Sequence, residues 1–354
     1  MNPLDELATI LKPAGAGLYL VSTGKAEQLK LQAQLYGVSS DGEVQQQFKA
    51  RLEKIATAKA VMLGIPSDVG AGFRRGANLG PQALRVALLQ RGRLPADLLD
   101  LGDVFVVPQL LHDEMLSAEQ LAKTRAALYP GITEPLPVSP LSIAERAWEL
   151  VFGLNPNVKP FVLGGDHSTA LPGVMQLAKR KRIGIVQPDA HTDLLEHRLG
   201  IKYCFATWSW HANEAIGRKQ RLVQLGIRAS GKAKEHWERT CDVRQFWAAE
   251  VLQDPKAALD EVVAHVKSLK VDGVYFSNDV DGTDEKWADA TGTPEPNGLD
   301  PEWLLELIGR LGSHIIGGDV MEVAPTITPK PDSVERTVAL GASYFEATVM
   351  AALR

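Results

Sequence analysis

The sequence predicts an α/β fold in which helices cover both faces of a mostly parallel sheet. Apolar segments with the length of strands alternate with helical segments along most of the 354 residues. The strand segments are continuous apolar runs, which is typical of parallel strands buried on both faces. In such sheets, ligands bind beyond the carboxyl ends of the strands.

Composition excludes several classes of protein. With 45% hydrophobic residues, the chain can bury a large core. Its net charge of −5 does not favour binding to nucleic acid or to an anionic membrane. No apolar run approaches the ~20 residues that a membrane-spanning helix needs. Two cysteines and an acidic first segment without signal-peptide order predict a cytoplasmic protein.

The first part of the chain differs from the rest. Residues 1–58 are predicted to form an accessory segment, and residues 59–354 the main domain. In the accessory segment, residues 18–21 suit a strand and residues 42–58 a polar helix. We expect this segment to pack on the main domain or on a neighbouring subunit.

From residue 60 onward, strand and helix patterns alternate. Candidate strands are 60–66, 103–107, 160–163, 183–186, 222–227 and 273–276, and residues 315–316 lead a last strand into residues 319–325. Candidate helices are 80–89, 142–154, 169–179, 255–270, 300–311 and 333–352. Pro81 and Pro301 stand in the first turn, where proline is favoured, and Asp300 is a suitable N-cap. Residues 108–141 hold several prolines and predict irregular structure around one short helix.

Acidic and histidine side chains follow four of the strands. Asp189, His191 and Asp193 follow the apolar run 183–186 at alternate positions, so an extended chain directs all three side chains to one side. Taken alone, this triplet is as typical of an exposed polar turn as of a ligand site. Other strand ends carry His167, the pair Asp279 and Asp281, and Glu322. Because these positions should meet at one edge of the sheet, we favour a shared site over a turn.

The candidate ligands predict a metal site. They are His167, Asp189, His191, Asp193, Asp279 and Asp281. Four clustered carboxylates repel one another, and two divalent cations would balance their charge. Mostly oxygen ligands with two imidazoles suit Mn²⁺, although Ni²⁺, Fe²⁺, Co²⁺ or Zn²⁺ could bind the same set. Two ions about 3.5–4 Å apart would lower the pKa of a shared water from about 15.7 toward 7.

These motifs resemble those of the ureohydrolases, which include arginase, agmatinase, guanidinobutyrase and formimidoylglutamase. Three segments resemble the metal motifs of that family: 164–168, 189–193 and 277–284. Three more resemble other family motifs: 64–66 together with 75–81, 290–294 and 319–325. The resemblance covers about residues 60 to 350.

The resemblance implies a three-layer α/β/α catalytic domain with a mostly parallel eight-stranded sheet and two Mn²⁺ ions. The bridging carboxylate and the second histidine would be among Asp189, His191, Asp193 and Asp279. Glu322 corresponds to the glutamate that holds the guanidinium or amidine of the substrate, a role that suits a carboxylate facing paired N–H donors. Asp166 and Asp284 are expected to make structural hydrogen bonds. A homo-oligomer, either a trimer or a hexamer, is also implied.

The chain departs from the arginase pattern between residues 194 and 211. The Ser-Gly-Asn loop that binds the amino-acid end of arginine is absent. Cys204 and Phe205 stand near the place of a His-Gly pair whose histidine shuttles protons. We therefore consider His197 and His211 as candidate general acids, although neither aligns with that histidine.

Aromatic residues are frequent in the same stretch. Trp208 and Trp210 suit core packing, and they also suit an aromatic wall that binds a guanidinium by cation–π attraction. Arg198 and Lys202 suit either solvated surface charge or binding of a substrate carboxylate.

The expected function is metal-dependent hydrolysis of a small guanidino compound other than arginine, as in agmatinase, to urea and an amine. One alternative is a formimidoylglutamase-type enzyme that acts on a formimino substrate and releases formamide. Another is a catalytically impaired family member that serves in metal binding or subunit assembly. A related metal hydrolase such as a deacetylase is disfavoured by the segments 290–294 and 321–325.

Overall fold

The computed structural model describes residues 1–20, 24–92 and 95–354. Its strands are β1 Leu11–Lys12, β2 Ala60–Gly64, β3 Leu98–Val104, β4 Lys159–Leu163, β5 Ile183–Pro188, β6 Leu222–Ile227, β7 Arg244–Trp247, β8 Gly273–Asp279 and β9 Ile315–Met321. Its helices are α1 Pro3–Ile10, α2 Lys25–Tyr36, α3 Asp41–Leu52, α4 Gly80–Arg91, α5 Ala118–Leu128, α6 Pro140–Leu154, α7 Leu171–Ala178, α8 Trp208–Ala215, α9 Lys234–Cys241, α10 Ala248–Gln253, α11 Pro255–Ser268, α12 Pro301–Leu311 and α13 Ser333–Ala352.

These strands form one sheet in the order β1-β3-β2-β4-β9-β8-β5-β6-β7. All pairings from β2 to β9 are parallel, which confirms the prediction of a mostly parallel sheet, although the sheet has nine strands and not eight. The ninth strand was not predicted. It is β1, a two-residue strand that pairs antiparallel with β3 at the edge of the sheet.

Helices pack on both faces of the sheet. In β2, Val61 and Leu63 point into one apolar cluster, which also contains residues of α6 and α7. The alternate residues Ala60 and Met62 point into the other cluster, with residues of α12 and α13. Each buried leucine or phenylalanine of these clusters contributes about 1.5–3 kcal/mol relative to exposure. This arrangement is the three-layer α/β/α architecture that the continuous apolar runs predict.

Several boundaries differ from the predictions for a local reason. The strand predicted at 103–107 spans Leu98–Val104 instead, and includes two aspartates. Arg85 of α4, fully buried, pairs with both Asp100 and Asp103, which allows these charges to lie in a buried strand. Strand β7 was not predicted, because its sequence, Arg-Gln-Phe-Trp, is not an apolar run.

Helix starts agree more closely with the sequence. The Asp300 carboxylate accepts a hydrogen bond from the Glu302 N–H at 2.8 Å, as expected of an N-cap. Helix α6 begins at Pro140, two residues before its predicted start at Ser142. The Ser142 hydroxyl instead accepts from the Asp113 N–H at 3.0 Å.

The segment of residues 1–58 packs on the sheet within the same chain. Leu7 and Ile10 of α1 and Phe48 of α3 are buried in the apolar cluster of α6 and α7. Of the strand predicted at 18–21, Leu18 forms a single bridge with Val106, and Val21 lies outside the described residues. The domain boundary at residue 58 stays a prediction.

The strands that carry the candidate ligands are neighbours. The order β4-β9-β8-β5 places their four carboxyl ends side by side in the middle of the sheet. Across the described ranges, the model contains no helix with the length and apolarity required to cross a bilayer.

Candidate metal centre

The six candidate ligands lie together beyond these strand ends. His167 follows β4, and Asp189, His191 and Asp193 extend from the end of β5. Asp279 ends β8, and Asp281 follows it in a short turn. All of them are buried except His191, which is partly exposed.

One group of ligand atoms surrounds the imidazole of His167. Its Nδ1 lies 3.0 Å from Asp279 Oδ2, 3.3 Å from Asp189 Oδ2 and 3.9 Å from Asp193 Oδ2. His167, Asp189 and Asp193 offer ligand atoms within 4.8 Å of one another. This spacing suits a single divalent ion.

A second group surrounds His191. Its Nδ1 lies 3.2 Å from Asp281 Oδ2 and 3.7 Å from Asp189 Oδ1. These three residues also lie within 4.8 Å of one another through their ligand atoms. Asp189 belongs to both groups, with one oxygen facing each imidazole, and is therefore the natural bridge between two metal positions.

Electrostatics in the site favour bound cations. Burial, together with the nearby Asp189, raises the pKa of Asp193 well above its usual range. Burial and Asp281 do the same to the pKa of Asp279. Burial also acts to raise the pKa of Asp189, but hydrogen bonds from the two imidazoles outweigh it and hold that pKa low. The residues therefore fit two divalent ions, which would stabilise all four carboxylates in their charged form.

Glu322 lies beside the ligands in a strained conformation. Its φ of 62° is in the left-handed region, as is the φ of 51° at Asp193. Such backbone costs free energy for a residue other than glycine and is concentrated at functional sites. The Glu322 side chain is 7% exposed, and its Oε1 accepts the His167 N–H at 2.9 Å.

Residues behind the site form hydrogen bonds with the ligands, directly or through another side chain. Two of these residues, Ser277 and Asp319, were not predicted as site residues from the sequence. His167 Nε2 lies 3.1 Å from the Ser277 hydroxyl, which donates to Asp319 at 3.0 Å. Asp319 is a charged residue inside the apolar run of β9, and this was the signal that could have identified it. From the predicted segment 290–294, the Thr293 hydroxyl donates to Asp281 Oδ2 at 3.0 Å.

Asp166 and Asp284 make the structural bonds expected of them. Asp166 accepts the backbone N–H of Ser168 at 2.9 Å and of Gly70 at 3.0 Å. Asp284 accepts the backbone N–H of Lys286 at 3.0 Å and of Gly298 at 2.9 Å. Both carboxylates thus organise loops around the centre.

The two candidate wall residues occupy different environments. Trp208 is fully buried, and its ring stacks on His167 with centroids 4.3 Å apart. Its indole N–H donates to Asp193 Oδ2 at 3.1 Å. Trp210 is half-buried and packs edge-on against His211 at 4.9 Å. Trp208 thus contacts two candidate ligands directly, whereas Trp210 packs against a histidine outside the ligand groups.

The two candidate general acids lie outside both ligand groups. His211 Nε2 is 3.0 Å from the backbone carbonyl of Lys202, and burial lowers the pKa of this histidine. His197 is 52% exposed and lies 3.9 Å from Glu196. The Lys202 ammonium pairs with Glu114 at 2.7 Å. The described geometry thus places neither histidine among the metal ligands.

A cavity of about 530 Å³ lies among the loops that follow β2 and β5. Its walls come from the loop after β2, the loop after β5 and a third segment: residues 69–73, 198–205 and 109–116. Gly70 in the wall donates to Asp166, next to the ligand His167. The Arg198 guanidinium, also in the wall, lies 4.8 Å from the centre of the Phe205 ring. The six candidate ligands and Glu322 are not among the lining residues of the cavity.

Comparison with known proteins finds relatives that match most of the chain. A model of the arginase family matches residues 58–350. Guanidinobutyrase of Pseudomonas aeruginosa is 31% identical over 301 residues, which cover 81% of this chain and 84% of the relative. Mitochondrial agmatinase of Gallus gallus is 32% identical over 297 residues, which cover 81% and 78%.

Solved structures show the same fold. Agmatine ureohydrolase of Thermoplasma volcanium superposes with a TM-score of 0.63 at 25% identity, and the match covers 84% of this chain and 91% of that one. Formimidoylglutamase of Bacillus subtilis superposes with a TM-score of 0.66 over 83% and 88% of the two chains. At 21% identity, the second likeness concerns the fold alone.

Proposed function

Because the chain belongs to the arginase family, whose members hydrolyse amidino C–N bonds, we propose that it converts a guanidino compound other than arginine to urea and an amine. The observation that carries this proposal is the two ligand groups that share Asp189, with the carboxylate of Glu322 beside them. Without bound cations, the buried carboxylates of these groups would repel one another.

We propose two Mn²⁺ ions, or Ni²⁺ in the same positions. His167, Asp189 and Asp193 would hold one ion, and Asp189, His191 and Asp281 the other. Asp279, whose Oδ2 is 3.0 Å from His167 Nδ1, would contribute to the first position. Bound ions of this kind supply Lewis acidity and lower the pKa of a coordinated water.

Glu322 would bind the planar cation of the substrate. A carboxylate accepts two parallel N–H bonds from a guanidinium. Burial, together with the charge of the nearby Asp166, raises the pKa of Glu322 well above its usual range. A buried carboxylate without a cationic partner is costly, and the guanidinium of a substrate would supply that partner.

The loop after β5 supports a substrate other than arginine. It lacks the Ser-Gly-Asn of arginases and contributes apolar residues to the wall of the cavity. Two curated relatives are named for guanidinobutyrate and agmatine, which have a short chain attached to the guanidine.

A substrate screen tests the proposal. The full chain is loaded with Mn²⁺ or Ni²⁺ and incubated with arginine, agmatine, guanidinobutyrate, guanidinopropionate, formiminoglutamate and free guanidine, and urea, formamide and ammonia are measured. We expect urea from at least one substrate other than arginine. Formamide from formiminoglutamate would support the alternative reaction. No turnover on any compound, with two ions bound per chain, would refute the proposal.

Other roles stay predictions. They include His197 or His211 as the general acid, Trp208 and Trp210 as substrate contacts, residues 59–354 as the catalytic domain, a homo-oligomer and a cytoplasmic location.

A further inference from the structure

Three glutamines form a buried row across the sheet. Gln187 of β5 is in register with Gln224 of β6, which is in register with Gln245 of β7. All three side chains are fully buried. Side chains in register on parallel strands project to the same face, so the amides can meet. Burying an amide is costly unless its hydrogen bonds are made, so the row needs a physical explanation.

The hydrogen bonds of the row all run in one direction. The indole N–H of Trp247 can only donate, and it donates to Gln245 Oε1 at 2.9 Å. The Gln245 amide N–H₂ therefore points the other way and donates to Gln224 Oε1 at 2.7 Å. In turn, Gln224 Nε2 donates to Gln187 Oε1 at 3.0 Å. The last donor, Gln187 Nε2, lies 2.7 Å from Asp189 Oδ2.

Two further hydrogen bonds connect the row of glutamines to neighbouring segments. The Ser209 hydroxyl of α8 donates to Gln187 Oε1 at 2.8 Å. Gln224 Nε2 uses its second hydrogen for the Thr192 carbonyl, 2.6 Å away in the ligand loop. Turning over any one amide would place donor against donor or acceptor against acceptor. Each orientation is therefore determined by its neighbours.

The row ends on the carboxylate that both ligand groups share. Gln187 binds Asp189 Oδ2, and the backbone N–H of His191 binds Asp189 Oδ1 at 2.7 Å. Each oxygen thus keeps one fixed donor, which sets the rotation of the carboxylate. Chains of hydrogen bonds polarise one another, so each upstream donor strengthens the last bond.

We propose that Gln187, Gln224 and Gln245 form a positioning relay that presets the Asp189 carboxylate for two metal ions, with Trp247 setting its direction. The inference rests on the proposed function, because it assumes that Asp189 binds metal. Gln245 and Trp247 then affect metal binding from two strands away. Mutation of a residue that forms a hydrogen bond with a metal ligand typically lowers the metal affinity 10- to 100-fold.

Calorimetric titration of the metal-free full chain with Mn²⁺ tests the relay. We expect Gln245→Met, which keeps the length and removes the amide, to weaken Mn²⁺ binding about tenfold. Trp247→Phe keeps the ring and should weaken binding in the same direction by a smaller factor, which provides a second variant if the first does not fold. Gln32→Met is the matched control, since Gln32 is a buried glutamine on α2 outside the row. It should leave Mn²⁺ affinity unchanged.

A double-mutant cycle separates the relay from a general packing effect. In a Gln187→Met background, the added Gln245→Met change should have no further effect on Mn²⁺ affinity, because its route to Asp189 is already broken. The relay is overturned if the Gln245→Met effect persists in that background, or if affinity is unchanged while only the unfolding midpoint falls. Two bound ions without turnover of any guanidine would refute the proposed function and leave the relay standing. A wild-type chain that binds neither Mn²⁺ nor Ni²⁺ would overturn both.

Discussion

Replacing Trp208 with phenylalanine should weaken one metal position selectively. The phenyl ring retains a face for stacking on His167, whereas the indole N–H that donates to Asp193 at 3.1 Å is lost. A hydrogen bond to a charged group contributes about 1.5–3 kcal/mol. If the whole effect falls on the metal-bound state, affinity at that position decreases roughly 10- to 150-fold. The second position, held by His191 and Asp281, should change little.

Calorimetric titration of the metal-free protein with Mn²⁺ provides the measurement, with two sites fitted separately. Trp210→Phe is the control, because Trp210 lies on the same helix and packs on His211 instead of a candidate ligand. The smaller ring at 208 also lowers the free energy of unfolding by about 0.5–3 kcal/mol, so thermal unfolding is recorded in parallel. Equal affinities in wild type and Trp208→Phe, or equal losses in both variants, would refute the reasoning.

Further predictions concern the site and the fold. Asp189→Asn should reduce metal content at both positions and Asp281→Asn at one, as measured by elemental analysis; two ions per chain in either variant would contradict the ligand assignment. Glu322→Gln should retain both ions and lower kcat/KM by roughly 30-fold or more, since removing one partner of a buried charge pair costs about 2–5 kcal/mol. Normal turnover by this variant would exclude a role of Glu322 in substrate binding. Burial lowers the pKa of His211 below its ordinary 6.5, so the unfolded chain binds the proton more readily and stability falls as pH drops below about 6.5. His211→Gln should reduce this acid sensitivity in denaturant titrations between pH 5 and 8, and an unchanged pH profile would contradict it. Deleting residues 1–58 should give an unstable chain, because its apolar side chains complete the core; a deletion variant with wild-type stability would show that the segment is dispensable for folding.

Much of the candidate site was predictable because its signals are local. Asp189, His191 and Asp193 alternate along an extended chain, and this period alone directs their side chains together. Their location after an apolar run places them at the ligand-binding edge of a parallel sheet. The pairs in the structure agree with that expectation, since Asp189 faces both imidazoles.

The supporting residues were not predictable in the same way. Gln187, Gln224 and Gln245 are separated by up to 58 positions and share no local pattern. They meet only because β5, β6 and β7 pair in one particular register. Trp208 suited both core packing and an aromatic wall, and the position of α8 placed its ring on His167.

By itself, the sequence determined the class of fold and the donor atoms available for metal. Strand periodicity and apolar runs are properties of neighbouring residues, so they can be read without knowing the rest of the molecule. The tertiary structure decided which strands are neighbours, which carboxylate faces both imidazoles and which side chains hold the ligands from behind. These features depend on strand order, strand register and helix packing, which bring together segments that are distant in the sequence. The free energies of such long-range contacts cannot be predicted from a local sequence pattern.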